Sequence, residues 1–304
     1  MKNKLKKNIG LVVLNYNNFS ETLNFINNIK SYNAISEIVV VDNNSRNESY
    51  EVLLQESNHH IHVIQSGKNG GYGYGNNFGI KYGIQNFDWE HVIISNPDVF
   101  FEEEVIFELL DISTNSNETV GLVAPLMVMS KNNSNMPTHW KLPTYKDDIM
   151  KTSLILNKIY NKFVKLKTSE IKQNGNMKKV DVLPGSFLFI STKIMKEVGF
   201  FSEKTFLYCE ERILAKKLLD KGYQNILATN ITYIHDHSTT ISKYNTKINQ
   251  FKIYNQSILI YHKYYAETSK VNLIILEQLL RLGLLEKKII FQIRDLGVKD
   301  NAVK

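Results

Sequence analysis

Ile93-Ile94-Ser95-Asn96-Pro97-Asp98-Val99 is an apolar run that breaks off in Asn-Pro-Asp, and the acidic cluster Glu102-Glu103-Glu104 follows it. Proline fixes φ, so a buried strand ending on such a turn holds its next side chain at a defined place on the rim of a sheet. In open α/β sheets ligands bind outside the carboxyl ends of the strands. Asp98 would sit at that rim, where a carboxylate can hold a divalent cation and the cation a diphosphate. The competing reading is an Asx-type turn, in which Asp98 only caps backbone N–H groups.

Upstream, Ile9-Gly10-Leu11-Val12-Val13-Leu14 is continuously apolar and predicts a central strand that ends in Asn15-Tyr16-Asn17-Asn18. Ser20 is the expected N-cap of a helix through Leu23, Ile26 and Ile29. A second strand, 37–41, ends in Asp42-Asn43-Asn44-Ser45; a third covers 61–64, and residues 91–95 make a fourth. Apolar strands alternating with helical segments predict an α/β fold whose Rossmann-like, mostly parallel sheet is covered on both faces. Three of these strands end in Asn- and Asp-rich turns. One such end signals a turn; three together predict a rim for a polar ligand.

Between the third and fourth strands lies Asn69-Gly70-Gly71-Tyr72-Gly73-Tyr74-Gly75-Asn76-Asn77-Phe78-Gly79-Ile80, leading into a helix. Its glycines open backbone conformations closed to other residues and are expected to give a ligand clearance to the main chain. The dinucleotide fingerprint fails here: counted from Gly73, the third glycine position holds Phe78, and the segment follows the third strand rather than the first. A nicotinamide oxidoreductase is disfavoured on that ground. A glycine-rich loop without function is the alternative.

Composition bounds the class more than the chemistry. The 304 residues suffice for one large domain or two smaller ones, and 43% hydrophobic with 22% charged residues is ordinary for a globular chain. The formal charge of +7 suits anionic partners in general without choosing among them. Cys209 is the single cysteine, which leaves no intramolecular disulfide or thiolate cluster and points to a reducing cytoplasm. The run 9–14 is too short for a signal-peptide core, and no stretch has the length of a membrane span. There is no internal repeat.

Taken in order, Asn15-Tyr16-Asn17, Asp42-Asn43-Asn44-Ser45, the loop 69–79 and Asn96-Pro97-Asp98 resemble the motif series of glycosyltransferase family 2, particularly its bacterial rhamnosyltransferase-like branch. In that branch Asn-Pro-Asp stands in place of the more usual Asp-x-Asp. The resemblance runs from about residue 9 to about residue 240. It implies the A-type glycosyltransferase fold, a divalent cation (Mn2+ or Mg2+) and a nucleotide diphosphate sugar as donor. It further implies that Asn15, Tyr16, Asn17 and Asp42 serve the base and ribose, that Asn69, Gly70, Gly71, Asn77 and Asn96 shape the donor pocket, and that Asp98 holds the metal.

The second half carries further matches. Leu183-Pro184-Gly185-Ser186-Phe187-Leu188-Phe189-Ile190 resembles the family's acceptor-side strand, and Phe206-Leu207-Tyr208-Cys209-Glu210-Glu211 its Phe-x-x-Tyr-x-Glu-Asp. The second acid of that pair is the family's catalytic base, which makes Glu211 the match, with Glu210 beside it. Glutamate replaces the usual aspartate, and Ile213 stands where the family has a further acid. Ile231-Thr232-Tyr233-Ile234-His235 resembles the terminal strand whose histidine helps bind the metal-diphosphate; His235 is the match and His237 the alternative.

Helical geometry bears on the acid pair independently. At about 100° per residue, Leu214, Ala215, Leu218 and Leu219 form one stripe with Glu211 on its midline, which predicts Glu211 inward and Glu210 toward the edge. A carboxylate on an inward face is costly unless it lines a cleft. The plainer alternative is that both acids favour the helix N-terminus electrostatically.

These readings predict a catalytic domain over 1–240, with a nucleotide-binding half, 1–98, and an acceptor half, 99–240, followed by a helical extension, 241–304. Residues 131–180 read as an acceptor-side insertion with some helix. Leu273, Leu276, Leu280 and Leu284 recur at helical spacing, as a helix packed on the catalytic domain, a membrane-surface helix or an oligomer contact would require. The expected reaction is inverting sugar transfer to a hydroxyl of a glycan or lipid-linked acceptor, without nucleic acid. The expected place is the cytoplasm or, peripherally, the inner face of the cell membrane. The rivals are a degenerate nucleotide-sugar-binding module and a sugar nucleotidyltransferase.

Overall fold

The computed structural model describes residues 8–115, 119–130, 137–164, 176–236 and 246–301. Two compact units divide the chain: residues 1–142 with 173–240, and residues 143–172 with 241–304.

The first unit is built on one sheet. Strands β1 (Ile9–Asn15), β2 (Glu37–Asp42), β3 (Ile61–Gln65) and β4 (His91–Ser95) are the four expected from the apolar runs. They lie in the order β3-β2-β1-β4 with every pairing parallel. Alternate residues feed opposite cores, as the two-residue period of a strand requires. Leu11, Val13, Ile38 and Val40 join one cluster; Val12, Val39 and Val41 join the other. Helix α1 (Phe19–Ile29) covers the first face with Phe25, Ile26 and Ile29, and α3 (Tyr72–Phe87) covers the second with Ile80. Helix α2 (Ser49–Leu54) lies between β2 and β3 in the chain.

The N-cap of α1 is Asn18, not Ser20. Asn18 Nδ2 donates to Glu21 across the first turn at 2.8 Å, and Ser20 Oγ donates back to Asn18 Oδ1 at 3.3 Å. The helix starts two residues early because Phe19 packs on the core.

Beyond β4 the sheet turns mixed. Strand β5 (Val99–Phe100), α4 (Glu104–Asn115), β6 (Val120–Met129), β7 (Met177–Val180), β8 (Phe187–Ser191), α7 (Thr192–Glu197), α8 (Glu210–Asp220) and β9 (Gln224–His235) complete the unit. The order continues β4-β8-β6-β9-β5, with β7 also on β9; β8 runs antiparallel to β4 and β6, whereas β6 and β9 are parallel. Leu214 and Leu218 of α8 close the face begun by α3.

The second unit consists of α5 (Tyr145–Thr152), α6 (Leu154–Val164), α9 (Lys247–Tyr264) and α10 (Lys270–Asn301). Residues 143–172 therefore group with the carboxy-terminal helices, although a segment's own periodicity cannot name so distant a partner. Thr144 and Asp147 form a capping box at the start of α5. His262 Nε2 lies 2.8 Å from Asp148 Oδ2, with both side chains buried, and its Nδ1 lies 2.8 Å from Thr268 Oγ1. On α10, Leu276, Leu280, Gly283 and Lys287 face inward at helical spacing. Lys287 Nζ donates to the Thr152 carbonyl at 2.6 Å.

Candidate active site

The carboxyl ends of β1 and β2 are laced together. Asp42 Oδ2 accepts from Asn15 Nδ2 at 2.8 Å and Ser45 Oγ at 2.6 Å, while Oδ1 accepts from the Ser45 N–H at 2.9 Å. Thr22 Oγ1 donates to Asn15 Oδ1 at 2.9 Å. Asn17 sits at φ 55°, its N–H donates to Ser45 Oγ at 2.8 Å, and its Oδ1 accepts from the Arg46 N–H at 2.7 Å. Asn15 and Asp42 are buried beneath these turns, and Tyr16 and Asn17 are half-buried above them. The two buried groups thus fix the turns, and the two half-buried ones form the accessible surface.

The glycine-rich loop is clamped to protein. Asn43 Nδ2 donates to Asn69 Oδ1 and to the Gly71 carbonyl, each at 3.1 Å, and Gly70 lies under the Tyr74 ring. Gly71 has φ +90°, and a Cβ there would lie 2.0 Å from the Phe206 carbonyl oxygen; at Gly73 it would lie 2.5 Å from that of Ser202. Asn77 accepts from the Phe201 N–H at 2.9 Å and donates to the Phe201 carbonyl at 3.0 Å and to Glu203 at 2.9 Å. Clearance for a ligand was the expectation for these glycines. Gly71 and Gly73 instead let segment 201–206 close on the start of α3, because two backbones can approach so nearly only where no Cβ intervenes. Asn77 is likewise a buried clamp on that segment.

At the end of β4, the Asn96 N–H donates to the Ser186 carbonyl at 2.9 Å. Asp98 then leads into β5, which pairs antiparallel with the end of β9 so that Val99 faces His235. Asp98 Oδ1 comes to 3.2 Å from His235 Nε2, and both side chains are buried. This brings together the two residues expected to hold a metal; His237 lies outside the described residues. One carboxylate and one imidazole form a mixed oxygen and nitrogen donor pair, which suits Mn2+ better than the oxygen-preferring Mg2+. Among the described residues no group of three or more His, Cys, Asp and Glu gathers, so water and phosphate oxygens would supply the remaining ligands.

Glu210 and Glu211 open α8 directly after Tyr208 and Cys209, whose φ angles are 71° and 68°. Successive non-glycine residues in the left-handed region cost about 1–3 kcal/mol each, a strain that clusters at functional sites. The orientation differs from the helical-wheel expectation: Glu210 is buried and Glu211 half-buried. Arg212, Ile213, Leu214 and Ala215 are all buried as well, so the first turn is enclosed around most of its circumference and a stripe of leucines cannot orient it. Burial, then the neighbouring Glu211 charge, pushes the Glu210 carboxyl up to about 8. Burial raises Glu211 too, opposed by a backbone hydrogen bond and by Arg212.

Four residues outside the expected site, Tyr72, Gly185, Ser186 and Tyr233, form hydrogen bonds beside its acidic residues. The Tyr72 hydroxyl donates to the Gly185 carbonyl at 2.6 Å, and burial followed by the charges of Glu211 and Glu210 raises its pKa well above the usual phenol value. The next residue, Ser186, lies with Oγ 2.7 Å from the Tyr233 hydroxyl. Burial raises Tyr233, with a smaller contribution from the Asp98 charge. Tyr72 is hidden among glycines in the sequence. Tyr233 is two positions before His235, and strand periodicity alone would have placed it on the same face.

The profile of Glycosyl transferase family 2 matches residues 11–194. The low-salt glycan biosynthesis hexosyltransferase Agl10 of Haloferax volcanii is 30% identical over 204 residues, which are 67% of this chain and 59% of that protein. Two solved structures share the mixed α/β, Rossmann-like A-type fold. The mannosyltransferase PcManGT of Pyrobaculum calidifontis, in complex with GDP-Man and Mn2+, superposes with a TM-score of 0.55 at 12% identity, over 89% of this chain and 69% of that one. GalNAc-T7 with UDP, GalNAc and Mn2+ gives 0.56 at 11% identity, over 77% of this chain and 44% of that one.

Proposed function

The chain belongs to glycosyltransferase family 2, and from that premise we propose that it transfers a sugar, with inversion, from a nucleotide diphosphate sugar to a hydroxyl of a glycan or lipid-linked acceptor. The observation that carries the reading is the connected pair of sites. Asp98 and His235 lie together, hydrogen bonds link Tyr72 to Gly185 and Ser186 to Tyr233, and the charges of Glu211 and Glu210 act on Tyr72 as that of Asp98 acts on Tyr233.

Tyr16 and Asn17 would meet the base and ribose over the turns that Asn15 and Asp42 hold, and Asn96 would face the donor beside Asp98. Asp98 and His235 would bind the divalent cation, which when bound offsets the charge that develops on the departing diphosphate. Two adjacent carboxyls, one buried and one half-buried, resist double ionisation, so the pair would share a proton. The more enclosed Glu210 would keep it. Glu211, nearer solvent and favoured as an anion by Arg212, would accept the acceptor hydroxyl's proton as the oxygen attacks opposite the leaving group.

Asn96-Pro97-Asp98 supports the finer placement in the rhamnosyltransferase-like branch, and the name of the Haloferax volcanii relative supports a role in glycan assembly. Bacterial surface polysaccharide synthesis, with peripheral attachment at the inner membrane face, completes the reading. Nucleoside diphosphate release from a panel of nucleotide sugars, dTDP-rhamnose included, tests it with Mn2+, Mg2+ or EDTA. One donor should turn over only with metal. Donor binding without release, even with candidate glycans added, would favour a degenerate binding module; pyrophosphate release would favour a nucleotidyltransferase.

A further inference from the structure

The helical unit carries an apolar face that its own packing leaves open. On α10 the inward stripe is Leu276, Leu280, Gly283 and Lys287. Roughly opposite, at helical spacing, Val271, Ile275, Leu282, Leu285, Ile289 and Ile293 are 43% to 65% exposed. At about 1.5 Å per residue this second stripe is about 33 Å long. Glu286, four residues from Leu282 and three from Ile289, accepts from the Leu154 and Ile155 N–H groups at 3.1 and 3.2 Å. Helix α6 therefore starts at the margin of the stripe, and it adds exposed Ile155 and Ile159. Scattered exposed apolar residues are ordinary; a continuous face of this size marks an interaction surface.

Charge selects what covers it. Residues 143–172 and 241–304 hold 18 Lys and Arg against 8 Asp and Glu, a formal +10, while the rest of the chain holds 19 against 22, a formal −3. The modest excess of the whole chain thus conceals a strongly basic helical unit. Lys270, Arg281 and Lys288 are exposed and fall on one flank of the stripe, and Lys158 and Lys162 are exposed beside Ile155 and Ile159. A second copy of the chain would bring two such basic surfaces together, and like charges repel. An anionic lipid surface would neutralise them while taking up the apolar side chains, which is the arrangement of a helix lying in a membrane interface. Among the described residues no helix is long and apolar enough to cross a membrane, and the inward stripe of α10 is already committed to protein.

We infer that the exposed face of α10, with the start of α6, docks on a bilayer rich in anionic phospholipid, α10 lying parallel to the surface. The inference specifies the membrane attachment included in the proposed function, and it stands on the helical unit alone. Sugar transfer can fail without touching it.

Flotation of the full chain with vesicles tests it, using phosphatidylcholine alone against phosphatidylcholine with about one-third phosphatidylglycerol. The bound fraction should rise about tenfold or more with the anionic lipid and fall steeply in about 0.5 M salt. Leu282→Glu with Ile289→Glu should abolish binding, and Lys270→Glu with Lys288→Glu should weaken it. Both variants change exposed positions and should keep the helical circular dichroism and the nucleotide affinity of the parent. Absence of binding to anionic vesicles would overturn the inference. So would sedimentation showing a dimer that Leu282→Glu with Ile289→Glu makes monomeric, because a second copy would then occupy the face.

Discussion

Asp98 Oδ1 lies 3.2 Å from His235 Nε2, although 137 positions separate the two residues in the chain. The two-residue strand β5 creates this proximity by pairing Val99 with His235 and Phe100 with Ile234. A turn that served only to cap backbone would have no need of that pairing. Asp98→Asn and His235→Ala are each expected to weaken Mn2+-dependent nucleotide binding about tenfold or more in calorimetric titrations. Affinity measured in EDTA should change little. An equal loss with and without metal would place both residues outside the metal site.

Glu210 gives the site a pH signature in stability. Its folded-state carboxyl is raised to about 8 from an ordinary 4.5, so between those values the folded chain holds a proton that the unfolded chain has lost. Stability from this group is therefore full below pH 4.5 and declines as pH rises toward 8. Glu210→Gln removes the titration. The variant should gain stability relative to the parent from pH 5 to pH 8, by a few kcal/mol at most, in denaturant melts at each pH. A parallel pH dependence in the two proteins would show Glu210 to be ordinarily ionised.

Gly71→Ala introduces a Cβ 2.0 Å from the Phe206 carbonyl at a residue with φ +90°. The clash and the strained backbone should together cost about 3 kcal/mol or more, read as a lowered denaturation midpoint. A stable, active alanine variant would mean that segment 201–206 does not close on α3 as described.

The Tyr72 hydroxyl donates to the Gly185 carbonyl and feels the charges of Glu211 and Glu210. Tyr72→Phe should cost about 1 kcal/mol of stability for the lost hydrogen bond. It should lower kcat more than it raises the KM for donor, because the hydroxyl positions the turn at Gly185 and Ser186. A change in KM alone would place Tyr72 in donor binding.

The nucleotide-side half of the fold is legible in the sequence because β1, β2 and β4 are apolar on both faces and each ends on an Asn- or Asp-rich turn. Asp98 was readable from the strand end that carries it, but its partner His235 only through resemblance to family motifs, since nothing local in either stretch names the other. What escaped has common physical causes. The directions of Glu210 and Glu211 follow from two left-handed residues, Tyr208 and Cys209, and no periodicity encodes such a turn. The glycines of 70–79 announced a close approach but not to what, and the partner proved to be segment 201–206, about 130 residues away. Residues 143–172 show the same limit: α5 and α6 are amphipathic, but their partners α9 and α10 lie beyond β9 in the chain.

The central claim is that Glu211 accepts the acceptor's proton while Glu210 retains the pair's own. With the donor identified, nucleoside diphosphate release and donor affinity should be measured for Glu211→Gln beside the parent. Release is expected to fall about a hundredfold or more while donor affinity stays within about threefold. Turnover within about threefold of the parent, at unchanged affinity, would contradict the assignment and return the role of base to another group.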